Sequence, residues 1–175
     1  MDFFYKVEMF NQWRPGVGGV IDLNCGWYCQ DALLKWYCKK NYLPSDIFTK
    51  TAKCNRMSFG FDPEESFCQK INIINKPEKY KEELLRHGPI IAAIKSRIPG
   101  LNLGHYVLIV GVRVKQNEII IYNPLSINLH SVRKSKPTVT VMKFKQFMAI
   151  LEGTLILNQF SVNCAMKMQP LLEPN

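Results

Sequence analysis

Three short segments of this 175-residue chain carry residue types that can do acyl chemistry. The first is Asn24-Cys25-Gly26-Trp27-Tyr28-Cys29. Cys25 falls where a helix should begin, and unpaired N–H groups and the dipole at a helix start stabilise a thiolate. The opposing view is a small buried hydrophobe, which is how many single cysteines behave. The second segment is Gly104-His105-Tyr106-Val107-Leu108-Ile109-Val110-Gly111, a histidine opening an apolar strand after a loop. Such a histidine stands at the rim of a sheet, where it is either structural or a base. The third is Tyr122-Asn123-Pro124-Leu125, where Pro124 ends strand pairing. An Asn before Pro is in many proteins only a turn residue.

Together the three say more. If the strands carrying His105 and Asn123 form a hairpin turning near Lys115 to Asn117, the two residues come within about three positions of register. Twist or a bulge would then let the Asn side chain orient the imidazole. A thiol at a helix start, a His on one strand and an Asn on the next match the nucleophile–base–orienter logic of cysteine hydrolases. That chemistry needs neither a metal nor a cofactor.

The elements that must position these groups follow from periodicity. A helix is expected from Gly26 to Lys40, with Cys29, Ala32, Leu33 and Trp36 on one stripe and Lys39-Lys40 at the negative end of the dipole. Residues 1–24 read as irregular, and residues 42–76 as short helices and loops. A second helix is expected from Glu78 to Arg86. Strands are expected over Pro89 to Ser96, His105 to Val114, Glu118 to Tyr122, Thr138 to Val141 and Thr154 to Val162, with a helix over Lys143 to Leu151. The layout is α+β, a helical part over about 1–87 and an antiparallel-sheet part over about 88–175, within one domain of residues 1–175.

Asn-Cys-Gly, the helix ending in Leu33-Leu34-Lys35-Trp36-Tyr37, His87-Gly-Pro-Ile-Ile-Ala-Ala-Ile94, Gly104-His-Tyr-Val and Tyr-Asn-Pro-Leu, in this order, resemble the papain-like cysteine peptidases. The similarity is greatest to a compact bacterial branch that includes bacteriocin-processing peptidases and papain-fold toxin domains, and it covers about residues 12–125. The resemblance implies a papain-like fold, with Cys25 as nucleophile, His105 as base and Asn123 as orienter. It also implies an oxyanion-stabilising Gln shortly before the Cys. Gln12 fills that role only if residues 13–24 are an insertion, because the usual position is occupied by the glycine-rich Pro15 to Gly19. Plant and lysosomal members place the nucleophile at the second Cys of their motif, which would be Cys29; its place on the apolar stripe, one turn into the helix, favours Cys25.

Composition narrows the setting. Hydrophobic residues make up 47% of the chain, enough for a sizeable core, so wholesale disorder is excluded. The six cysteines include no CxxC pair and no nearby His partners, which argues against zinc, and three of them share one expected helix. Reduced thiols and a cytosolic working environment follow. The start of the chain lacks the pattern of a signal peptide, and no apolar stretch is long enough to span a bilayer. A net charge of +9 without an aromatic-interleaved basic motif reads first as a solvated surface, argues against nucleic acid and a membrane as partners, and leaves an acidic protein target as the functional reading. Small size, positive charge and the absence of a signal resemble toxin or effector domains delivered into another cell, which would imply an inhibitory immunity protein as a further partner. The expected reaction is peptide-bond hydrolysis of a protein target. The same triad can deamidate glutamine or transfer an acyl group, and a non-catalytic basic binding domain on this scaffold is the third alternative.

Overall fold

A computed structural model describes residues 3–8, 25–47, 61–64, 66–95, 104–124 and 138–168, with residues 164–168 as backbone only. Gln12, Cys54, His130 and the glycine-rich segment before Cys25 lie outside the described residues.

The first long element is helix α1, Cys25–Lys39, and it is buried on nearly every side. A helix so enclosed is a central core element and not a surface one. Gln30 and Asp31 are fully buried along with Cys29, Ala32, Leu33 and Leu34. Gln30 accepts the backbone N–H of Phe67 at 2.8 Å, tying the approach to the second strand onto α1. Lys35 and Lys39 reach Glu8 at 2.5 and 2.6 Å, so the N-terminal segment is strapped across the helix end.

Among the described residues seven strands form one antiparallel sheet: β1 Phe3–Phe4, β2 Cys68–Ile71, β3 Ile90–Lys95, β4 Gly104–Arg113, β5 Glu118–Asn123, β6 Thr138–Lys143 and β7 Leu151–Leu157. Their order is β2-β7-β3-β4-β5-β6, with β1 pairing β4 beyond the end of β3. Helix α2, Pro77–His87, precedes β3; its proline at the first turn and the positive φ of Gly88 at its end are common helix start and stop signals. A Cβ at Gly88 would also stand 2.5 Å from the Trp36 ring, so this turn belongs to glycine twice over. Short helix α3, Phe144–Ile150, joins β6 to β7, and α4, Gln159–Met168, follows β7.

The sheet is buried on both faces. Leu108, Val110, Ile91, Ile120, Leu155 and Leu157 pack against α1, while Val107, Ile109, Val112, Ile119, Ile121 and Ile156 meet Tyr80 and Leu84 of α2 and Phe144 and Phe147 of α3. Continuous apolar runs such as Tyr106 to Val110 follow from this double burial.

The expected helices and strands before residue 151 agree with the structure to within about two residues at their ends. Three expectations need correction. Residues 1–24 and 42–76 were expected to hold no strands, yet β1 and β2 lie there; both are short, and they exist through pairing with β4 and β7 and not through local pattern. The last strand does not run from Thr154 to Val162. It spans Leu151–Leu157, because the Asn158 side chain accepts the N–H groups of Phe160 and Ser161 at 3.0 and 3.2 Å and starts a helix there.

Candidate active site

Cys25 is the first residue of α1 and is buried, 6% exposed. Its Sγ accepts the backbone N–H of Tyr106 at 3.3 Å. The helix start therefore meets β4 one residue past His105. Gly26 is needed here for space, since a Cβ would lie 2.1 Å from the Phe61 ring. It is thus a protein side chain, and not a substrate, that fills the gap glycine leaves. Phe61 in turn packs edge-on against Trp27 and Tyr106, each at 4.8 Å between ring centres. Trp27 and Trp36 are core residues.

His105 Nε2 lies 2.7 Å from Asn123 Oδ1. A carbonyl oxygen only accepts, so Nε2 carries the hydrogen, and in the neutral ring Nδ1 is the basic nitrogen. Burial holds the His105 pKa below its ordinary value of 6.5, and the hydrogen bond to Asn123 partly opposes this.

That contact depends on an irregularity in the β4–β5 hairpin. Near the turn Gly111 stands opposite Ile120, whereas further along Ile109 stands opposite Ile121, so Val110 is an extra residue. With Leu108 opposite Tyr122, the register continued by one step sets Asn123 beside Val107, two residues from His105 and on the same side of the sheet. Without the extra residue Asn123 would face Leu108 and point to the other side, since a one-residue slip inverts every side chain. The turn itself uses Asn117 at φ 54°, with its N–H donating to Val114 at 3.1 Å. Outside the bulge, β1 completes the pairing: Tyr5 N–H donates to the Val110 carbonyl at 2.7 Å.

Cys29 and Cys68 are held as neutral thiols. Burial raises the Cys29 pKa well above the usual thiol value, with Cys25 and then Cys68 adding to the rise. Burial also pushes Cys68 up to about 12, opposed by Ser66. Cys38 donates to the Pro44 carbonyl at 3.2 Å. His87 ends α2 with Nε2 3.2 Å from Glu83, and its carbonyl accepts the Tyr37 hydroxyl. Among the described residues no three His, Cys, Asp or Glu side chains gather as a metal site, and no helix is long and apolar enough to cross a membrane.

The structure thus brings Cys25, His105 and Asn123 to one end of β4, and Gln12 lies outside the described residues. Residues not anticipated from sequence line a hollow next to Tyr106, notably Ala93, Glu152 and Gly153. Their signal in the sequence was the Glu152-Gly153 pair interrupting an otherwise apolar strand, because glycine within a strand marks a bulge or a close approach. No curated protein matches the chain. A family model described as papain-like cysteine protease AvrRpt2 matches residues 20–147, which includes positions 25, 105 and 123 and leaves out position 12.

Proposed function

The chain belongs to this papain-like cysteine protease family, and from that premise we propose that it cleaves a protein target through a Cys25-His105-Asn123 triad. The observation that carries the assignment is the 2.7 Å contact between His105 Nε2 and Asn123 Oδ1, one residue from the backbone N–H that meets the Cys25 sulfur. In this mechanism His105 Nδ1 takes the thiol proton and Cys25 Sγ attacks the scissile carbonyl. The tetrahedral intermediate collapses as the imidazolium gives its proton to the leaving amine, and a water molecule then hydrolyses the thioester with His105 as base. The Cys25 backbone N–H, at the start of α1, is one oxyanion donor in this proposal, and the Gln12 amide is the second.

Residues 1–175 act in this proposal as one catalytic domain. The positive charge favours an acidic protein surface as target, and a toxin or effector domain acting in a recipient cytoplasm, restrained by an immunity protein, is the biological setting that suits it. Digestion of a lysate with wild type and Cys25→Ala, read by N-terminal labelling, tests the activity. New N-termini that depend on Cys25 are expected. A mass gain near one dalton on a target without new termini would identify a deamidase, and a Cys25 that resists iodoacetamide at neutral pH would identify a binding domain.

A further inference from the structure

Beside Tyr106 the sheet is hollowed by a cavity of about 230 Å³. Its floor is a row across three strands, with Ala93 paired to Tyr106 on one side and to Gly153 on the other. Two of the three floor residues are as small as residues can be. A Cβ added at Gly153 meets nothing within 4 Å, so the space above it is open. Pockets that enclose whole small molecules span roughly 300–1,000 Å³, and this one is of a size to take a single side chain. Its position is informative: Tyr106, which lines it, is also the residue whose N–H meets the Cys25 sulfur.

The charges around the cavity are arranged unevenly. Glu152 is exposed at the end nearest the catalytic strand, with Oε2 3.8 Å from where a Cβ on Gly104 would stand. Glu152 lines the cavity together with Tyr106, whose pKa is raised by burial first, with Cys25, Asp62 and Glu152 adding to the rise. Lys70 lies on β2 at the sheet edge, with its backbone opposite Leu155. No described residue makes a salt bridge to Glu152. A cation entering the cavity would find Tyr106 and the Glu152 carboxylate at one end, and repulsion from Lys70, which also lines it, at the other.

We propose that this cavity is the subsite that receives a lysine or arginine side chain of the substrate, with Gly153 leaving room for its stem and Glu152 meeting its charge. The assignment rests on the peptidase reading above. It is compatible with an acidic target surface, since the molecule's field guides the encounter while the cavity reads one residue.

A peptide library derived from a proteome digest, exposed to the enzyme and sequenced at the new ends, tests it. Wild type should enrich Lys and Arg at one fixed position relative to the cut. Glu152→Lys should shift that position towards Asp and Glu, and Gly153→Leu should shift it towards Gly, Ala and Ser, each lowering cleavage at Lys and Arg sites by about tenfold or more. Gly153→Ala adds a methyl to open space and serves if the leucine variant does not fold; it should produce the same shift in smaller measure. A library cut by wild type and not by Cys25→Ala, with no Lys or Arg preference, overturns the subsite while leaving the peptidase in place. An unchanged profile in the Glu152 and Gly153 variants does the same. Absence of any Cys25-dependent cut overturns both.

Discussion

Asn123 can orient the His105 ring but cannot neutralise its charge, and the distinction is measurable. Asn123→Ala should lower the rate substantially, yet less than Cys25→Ala or His105→Ala, which remove the proposed nucleophile and base. The hydrogen bond that His105 donates to Asn123 raises the His105 pKa against the lowering effect of burial. Its loss should therefore move the basic limb of kcat/KM against pH to lower pH, where His105 gives up the proton it must donate. Asn123→Asp adds a nearby negative charge and should move that limb to higher pH while keeping much of the activity. Profiles for wild type and both variants decide the matter, and an Asn123→Ala enzyme with the wild-type profile would reduce Asn123 to a turn residue. The types and order of these three residues were legible in the sequence. The cavity was not, because its floor is an absence of side chains, assembled from strands that lie about sixty residues apart.

At the scale of elements, the β4–β5 hairpin brings Asn123 to His105 through one extra residue. Gly111 sits in the bulge, and a Cβ there would stand 2.3 Å from the Phe3 carbonyl oxygen. Gly111→Ala must lift β1 or shift β4, and either change should cost about 1–3 kcal/mol of stability. It should also lower kcat while Cys25 keeps its reactivity towards iodoacetamide, because the disturbed register moves Asn123 and leaves the helix start in place. A chemical melt and the two rates check this, and an alanine variant with unchanged kcat would show that the bulge is not what aligns Asn123. The hairpin, its turn and the first helix could be read from periodicity and turn residues. A bulge was expected only as an alternative to twist, and its place at Val110 and Gly111 shows only in the pairing of the two strands. Asn158 was legible in principle as a helix cap, but the apolar run on either side of it read more simply as one strand.

For the molecule as a whole, an α+β layout could be read from a helical first part and a strand-rich second part. Strand order could not, because β7 passes back between β2 and β3 and nothing local in its sequence specifies those neighbours. Contacts of this kind link distant parts of the chain: Cys25 meets Tyr106 across 81 positions, and Thr154 donates to Ile71 across 83. Folding dominated by such separations is slow, in the range of milliseconds to seconds or longer. Refolding from denaturant should therefore restore Cys25-dependent cleavage no faster than it restores the far-ultraviolet signal of the sheet, and activity appearing ahead of that signal would contradict this ordering.

The insertion of β7 also has a consequence in time. A chain is made from its N-terminus, so Cys25, His105 and Asn123 have all emerged before Leu151–Leu157 is added. Until then β2 has no partner strand, and the row from Tyr106 through Ala93 ends in open edge where Gly153 belongs. On the proposed reading, a chain that stops short of Leu151 carries all three triad residues yet lacks the strand that completes the row on which a peptide would be seated.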